Sequence, residues 1–336
     1  MKKVTIYDIA RECNCTAATV SKVFNGKGVI SDEKRREIMN AIKKLGYIPS
    51  NAAKNLATNK SHLIGIVLHD SASKSISHEL FSKILNYFRI EVEKKGYEIM
   101  FLSRMEEKGE NSYLKRAIAR DLSGIFILCA DYGDPSIMEL VDDIIPTVSF
   151  DWALGNYSIS TDGEDGLIKI VDFLVENGHK DIVFFDTGET IVSRQRLSGF
   201  LKGLEKNHIE KKDWMIIPGE YYFPEAVEKE VEAVLKINPR PTAVIMPDDY
   251  SAVQSYRVFR RLGIKIPHDL SVVGFDGIEL SELAHPRLTT ISQDCELIGK
   301  EAAMLLLKQI NNEEIINKHN MVNGILVPGT SVKKIN

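Results

Sequence analysis

Carboxylates recur directly behind apolar runs in this chain. His69-Asp70 follow Leu63–Leu68, Asp151 follows Ile145–Phe150, Asp186 follows Ile182–Phe185, Asp248-Asp249 come just after Ala243–Met246, and Asp276 follows Ser271–Phe275. Arg194 and Arg196 lie in the stretch behind Asp186, and Phe81, Phe150 and Trp152 bring aromatic rings near the earlier runs. This set suits a polar, hydroxylated ligand. Carboxylates accept hydrogen bonds from hydroxyls, arginine donates a planar fork, and rings lie against an apolar ligand face. Each Asp taken singly is more readily a helix N-cap or a surface charge. The informative feature is the recurrence.

Other chemistries lack their parts. No G-x-G-x-x-G follows a strand and no G-x-x-x-x-G-K-[ST] is present, so dinucleotide and nucleoside triphosphate cradles are missing. Cys13-x-Cys15 has no second Cys or His pair at zinc spacing and reads as packing. The eight histidines are scattered, and nothing supplies a water, metal or partner to make Asp248-Asp249 a catalytic pair. Neither an enzyme nor a cofactor or metal is expected.

The apolar runs are strands of a repeating pattern. Runs at Leu63–Leu68, Ile99–Leu102, Gly124–Cys129 and Ile145–Phe150 are followed by a second set at Ile182–Phe185, Met215–Ile217, Ala243–Met246 and Ser271–Phe275. Helical patterns fall between them at Glu79–Lys95, Gly166–Glu176, Val192–Asn207, Ala226–Lys236 and Ser251–Leu262. Near-continuous apolar strands alternating with helices predict two doubly wound subdomains, each a parallel sheet covered on both faces. In such sheets ligands bind beyond the carboxyl ends of the strands, where the carboxylates stand.

The first sixty residues differ. They hold a net charge of +7, the remainder −11, within a total of −4 over 336 residues. A basic head on an acidic body fits a polyanionic partner, although a basic stretch is also simply a solvated face. Thr5 and Asp8 form a capping-box pattern for a helix from Ile6. Thr16 reads as the cap of a second helix, with Val20, Val23 and Phe24 on one side and Ala17, Ala18, Ser21 and Lys22 on the other. A third helix starts near Ser31-Asp32 and stops at Gly46. Two short helices joined by a tight turn, then a supporting third, match the helix-turn-helix plan, in which the second helix enters the DNA major groove. An ordinary three-helix bundle has the same pattern. Asn51 begins a further short segment through Leu56 to Lys60, too short to be a stable helix without something packed on it.

The stretches Val4–Ala10, Thr19–Gly26 and Leu45–Pro49 closely resemble the headpiece of LacI/GalR-family transcriptional repressors. The resemblance implies that Ala17, Ala18 and Lys22 touch bases, while Thr5, Thr16, Thr19, Ser21, Asn25 and Tyr47 hold phosphates or brace the fold. It makes the segment with Asn51, Ala53 and Leu56 a hinge that meets the minor groove, with Leu56 wedged between base steps. The family usually has Arg where this chain has Lys22; Arg grips guanine bidentately and Lys is a point charge. Further along, Arg196–Phe200, Pro247–Ala252, Ser271–Gly277 and Leu288–Gln293 resemble motifs of the family core, with Asp248 in place of the usual Asn and Gly277 in place of a second Asp. By this resemblance Phe81, Asp151, Arg196, Asp248 and Asp276 hold a small-molecule effector. The core resembles periplasmic sugar-binding proteins, two lobes joined by three crossovers, with the chain returning to the first lobe near Ile291 and placing Glu296–Ile310 there.

The expected organisation is a helix-turn-helix headpiece over residues 1–48, a hinge over 49–61 and an effector-binding and dimerisation core over 62–336. Within the core the N-subdomain takes about 62–161 and 290–321, and the C-subdomain about 162–289 and 322–336. The function expected is that of a homodimeric repressor that binds a palindromic operator and responds to an effector, a sugar being favoured. Lys2, Lys3, Lys22, Lys27, Lys34 and Lys54 are expected to attract phosphates. With no leucine heptad before Asn336, a tetramerising tail is not expected. The competing readings are a solute receptor, which predicts an export signal and no basic head, and a sugar- or nucleotide-acting enzyme, which predicts a catalytic pair. The charge-broken N-terminus and the lack of any apolar run of about 18–20 residues point to a cytoplasmic protein without membrane contact, and four cysteines are too few for a disulfide scaffold.

Overall fold

The computed structural model describes residues 4–24, 28–47, 61–68, 76–102, 112–130, 133–142, 145–151, 157–188, 190–221 and 224–335. The chain forms two compact units, Met1–His62 and Leu63–Asn336.

The first unit holds α1 (Ile6–Glu12), α2 (Ala17–Phe24) and α3 (Asp32–Leu45). Local chemistry sets their ends. The Thr5 N–H and hydroxyl both donate to Asp8 Oδ2, at 2.9 and 2.7 Å. Thr16 Oγ1 accepts the Thr19 N–H at 3.2 Å, and Ser31 accepts the Lys34 N–H at 3.4 Å. Gly46 ends α3 in the left-handed conformation. Ile9, Ala10 and Cys13 of the first helix-turn, Val20 and Val23 of α2, and Ile38, Ala41 and Ile42 of α3 are buried together. Cys13 is therefore a packing residue. Phe24, expected beside Val20 and Val23, is instead 42% exposed. It is the last residue of α2.

The second unit contains two parallel sheets. The first is built from β1 (Leu63–Leu68), α4 (Glu79–Lys94), β2 (Glu98–Leu102), α5 (Tyr113–Ala119), β3 (Gly124–Cys129), α6 (Pro135–Asp142), β4 (Thr147–Phe150) and β5 (Ser158–Thr161). The chain continues through α7 (Gly163–Glu176), β6 (Ile182–Asp186), α8 (Ile191–Lys206), β7 (Ile216–Pro218), α9 (Pro224–Lys236), β8 (Ala243–Ile245), α10 (Asp249–Arg261), β9 (Ser271–Val273) and α11 (Glu279–Leu283). It finishes with β10 (Thr290–Ser292), α12 (Cys295–Ile310), β11 (His319–Val322) and β12 (Ile325–Val327). The first sheet has order β11-β5-β4-β3-β1-β2 and the second β7-β6-β8-β9, all pairs parallel. A small antiparallel pair, β10 with β12, stands apart.

Strand alternation divides each sheet between two cores. Ile64, Ile66, Phe126 and Val148 pack with α4 and α12, including Phe88 and Leu306. Val67, Ile125 and Ile127 pack on the other face with Ala117 of α5 and Leu140 of α6. In the second sheet Ile182, Phe184 and Val273 meet α7 and α8, whereas Val183, Phe185 and Val272 meet α9 and α10. Both faces are covered, as the unbroken apolar runs require. Strands β5, β10, β11 and β12 were not anticipated. They are three or four residues long, and β11 (His-Asn-Met-Val) has no apolar run to announce it; it forms because β5 offers a free edge. No helix among the described residues is long and apolar enough to cross a membrane, and no group of three or more His, Cys, Asp or Glu among them is placed to hold a metal ion.

Candidate nucleic-acid interface and ligand cleft

On α2 the buried valines leave the opposite row outward. Thr16, Ala18 and Lys22 are exposed, and Ala17, Thr19 and Ser21 are half-buried. Ala17 is turned further inward than expected and packs against the head core. Tyr47, half-buried after α3, also packs there. The row thus presents small side chains and one cation, and the helix backbone can approach a groove closely. The cap residues are committed within the head: Thr16 and Thr19 share a hydroxyl contact of 2.9 Å. Among the expected phosphate-attracting lysines Lys34 is a correction. Its ammonium donates to the Cys13 carbonyl at the end of α1, at 2.5 Å, and pairs with Glu37 at 2.8 Å, so it stitches α1 to α3. The C-terminal carbonyls of a helix attract a cation, and Glu37 one turn on completes the site. Asn25, Asn51, Ala53, Leu56, Lys2, Lys3, Lys27 and Lys54 lie outside the described residues.

In the second unit the strand-end residues converge. Arg196 sits in the second turn of α8, not in a loop, and is buried at 7% exposure. Its Nη1 donates to the Pro247 carbonyl at 2.7 Å and reaches the Tyr221 hydroxyl at 3.5 Å. Its Nη2 lies 3.9 Å from Asp276 Oδ1, and its guanidinium carbon 3.8 Å from the Phe275 ring centroid. Asp276 has φ 124°, a strained backbone for a residue with a Cβ. Its Oδ1 accepts the Gln293 amide at 2.7 Å, and Gln293 in turn accepts the Thr161 hydroxyl at 2.5 Å. Its Oδ2 is buried without a hydrogen-bond partner among the described residues. Asp151, also at positive φ (58°), follows β4 of the first sheet, yet it feels the charge of Arg196 on α8. The two sheets therefore deliver their strand ends to one place. Backbone strain at both aspartates accords with the rule that strained residues gather at binding sites.

Burial controls the electrostatics. It pushes Asp151 up to about 7, with Arg196 pulling the other way, and raises Asp276 well above the usual carboxylate range for the same reason, again against Arg196. Asp248 behaves otherwise. It caps α10, with Oδ1 accepting the Ser251 N–H at 2.7 Å and Oδ2 the Ser251 hydroxyl at 3.0 Å, so both oxygens serve the fold. Asp249 is a brace: it accepts the Thr290 hydroxyl at 2.6 Å and the Ile278 N–H at 3.0 Å, and burial pushes it to about 7. Arg194 is exposed, and Asp186 turns back on the Gly188 N–H at 3.2 Å, so neither joins the cluster. His69, Asp70 and Trp152 lie outside the described residues.

Phe81, in the first turn of α4, stands edge-on to Phe150 at 6.4 Å and tilted to His78 at 5.1 Å. His78 meets Tyr250 of α10 at 4.9 Å, and burial lowers its imidazole to about 4. Beside them both Glu79 carboxylate oxygens accept the Glu279 N–H at 2.9 Å. Four residues of this region were not picked out from the sequence: Phe275, Tyr221, Tyr250 and Gln293. Phe275, Tyr250 and Gln293 lie within quoted motifs, but Phe275 reads as a strand residue and no role is read for the other two. Nothing marks Tyr221, and Gln293 acquires its role only through a contact with a residue 17 positions away.

A three-helix head of helix-turn-helix form, together with a two-sheet α/β core that gathers buried carboxylates and an arginine, defines a DNA-binding regulator. The description "Bacterial regulatory proteins, lacI family" matches residues 5–50, and "Periplasmic binding protein-like domain" matches residues 171–332. Catabolite control protein A of Priestia megaterium is 28% identical over 318 residues, covering 93% of this chain and 94% of the relative. The HTH-type transcriptional repressor PurR of Vibrio vulnificus (strain CMCP6) is 29% identical over 342 residues, 99% of each. The lac repressor dimer bound to operator and the anti-inducer ONPF superposes with a TM-score of 0.84 at 26% identity, over 99% of this chain and 100% of that one. Residues 5–50 thus form a lacI-family regulatory domain and residues 171–332 a periplasmic binding protein-like domain, and along nearly its whole length the chain is similar to transcriptional regulators.

Proposed function

We propose that the protein is a cytoplasmic, homodimeric repressor whose paired heads occupy a roughly palindromic operator and whose hold on DNA is set by a small hydroxylated effector, a neutral sugar, in the core cleft. The observation that carries this is the junction of Arg196, Asp276 and Asp151, drawn from both sheets of the core and supplied with a buried carboxylate oxygen that lacks a donor among the described residues. A ligand hydroxyl satisfies that oxygen, and Phe81 offers a ring face. Two-fold symmetry of the protein implies half-sites about one helical turn apart.

The proposed division is a headpiece over 1–48, a hinge over 49–61 and a core over 62–336. Ala17, Ala18 and Lys22 are assigned to bases, with Thr5, Thr16, Thr19, Ser21, Asn25 and Tyr47 at phosphates or bracing the head. Asn51, Ala53 and Leu56 are assigned to the hinge. Effector contacts are assigned to Phe81, Asp151, Arg196 and Asp276, while Asp248 contributes by fixing the start of α10. An effector shifts operator affinity only as far as its affinities for the two core states differ.

The test is selection of bound duplexes from a random pool, repeated with the sugar that most raises the melting temperature. The expected result is one palindromic sequence whose affinity changes with that sugar. Absence of sequence preference at near-physiological salt refutes the reading. In the same assay Leu56→Ala is expected to weaken operator binding while leaving sugar binding intact.

A further inference from the structure

The core has a second concavity, remote from the cleft, of about 460 Å³, within the range of small-molecule sites. It lies at the opposite end of the second sheet, where the chain enters β9, whereas Asp276 stands where the chain leaves that strand. Asp248 caps the start of α10 and Arg260 lies in its last turn, twelve residues on, or about 18 Å along the helix axis. The two concavities are therefore separate.

Its lining is chemically one-sided. Arg260, Lys265, His268 and His285 stand exposed at its mouth, and no carboxylate lines it among the described residues, although residues 61–336 carry a net charge of −11. None of the four has an ion pair among the described residues. The nearby Asp269 carboxylate is occupied by the Lys265 backbone N–H at 2.7 Å. The walls are apolar, from half-buried Ile264, Ile266, Pro267 and Pro286. On the wall, Tyr256 is 6% exposed and its hydroxyl makes no hydrogen bond of good geometry. The Ser331 hydroxyl that bears on it is committed to the Val272 carbonyl at 2.6 Å and the Thr289 N–H at 2.8 Å.

We propose that this concavity is a second ligand site, taking a small organic anion (a carboxylate or phosphate monoester) on an apolar body. The Arg260 fork and the Lys265 ammonium hold the anionic end, as guanidinium and ammonium groups hold carboxylates and phosphates elsewhere. The Tyr256 ring, the isoleucines and the prolines cover the apolar part. The cleft has the opposite character, since among its described residues the buried Asp151 and Asp276 outnumber Arg196.

The test uses the full-length protein at low salt, titrated calorimetrically with phenyl phosphate, phenylacetate and uncharged 2-phenylethanol. Both anions are expected to bind, and 2-phenylethanol at least tenfold more weakly. Arg260→Gln with Lys265→Gln is expected to weaken the anions about tenfold or more. Both side chains are exposed, so the double variant should melt like the parent. Arg196→Lys, in the cleft, is expected to leave anion affinity within twofold. The proposal is overturned if neither anion binds at millimolar concentration, if 2-phenylethanol binds as well as the anions, or if Arg196→Lys abolishes binding while the double variant keeps it.

Discussion

The Arg196 guanidinium carbon stands 3.8 Å from the centroid of the Phe275 ring. The contact comes from the element order: Arg196 is on α8 and Phe275 leaves β9, separated by two further strands and two helices. The ring holds one face of the cation while the Pro247 carbonyl fixes Nη1. Arginine is thereby kept as the counter-charge to Asp276 and Asp151. Replacing it by alanine leaves those buried carboxylates uncompensated, a loss of about 3 kcal/mol. Urea denaturation of Arg196→Ala is expected to show that loss at pH 8 and a smaller one at pH 5, because protonated carboxyls need no partner. Equal losses at the two pH values would contradict the electrostatic account.

The raised carboxyls carry a signed pH dependence. Asp151, Glu230 and Asp249 are each pushed to about 7 by burial. Between about 4 and 7 the folded chain keeps protons that the unfolded chain releases, so these groups lower stability as pH rises through that window. His78, lowered to about 4, and His179, lowered by burial, act in the opposite sense, because below about 6.5 the unfolded chain protonates them first. Asp151→Asn removes one descending contribution. Its melting temperature is expected to match the parent at pH 5 and exceed it at pH 8.

The head separates two lysines that look alike in sequence. Lys22 is exposed on the outward row of α2, whereas Lys34 is tied to Cys13 and Glu37. With the selected operator, Lys22→Ala is expected to reduce the slope of log affinity against log salt by about one. Lys34→Ala is expected to leave that slope unchanged and to lower the melting temperature of the head. Equal slopes for Lys22→Ala and parent would remove Lys22 from the phosphate contacts.

Gly277 cannot carry the aspartate that the resemblance places there without rearrangement. Its φ is +68°, and a Cβ would lie 2.3 Å from Ser292 Cα. Gly277→Asp is expected to destabilise the core by about 2 kcal/mol or more, the left-handed strain and the clash acting together. A denaturation midpoint equal to that of the parent would show that β10 yields freely.

Much of this was legible in the sequence. Helix ends are local events, so Thr5 with Asp8, Thr16, Ser31 and Gly46 could be read from types a few residues apart, and all close the helices they precede or follow. Strands covered on both faces announce themselves as apolar runs, and the eight read that way exist with ends shifted by at most two residues. The short β5, β10, β11 and β12 could not be read, because their pairing depends on edges supplied by distant segments.

Residue types at strand ends gave a wider set and the kind of ligand it suits, and the family resemblance narrowed that set to Phe81, Asp151, Arg196, Asp248 and Asp276. Their division of labour was a tertiary matter. Asp248 and Arg196 could each have faced a ligand, but folding spends both oxygens of the first on Ser251 and lays the second on Phe275. It also left Asp276 Oδ2 without a donor among the described residues and gathered Arg260, Lys265 and two histidines at the far end of α10. The sequence determined which helices and strands form, because that rests on hydrogen bonds and burial within a few residues. Only the packed structure decided which charges are buried, paired or left open, because that depends on the company of residues distant in the chain.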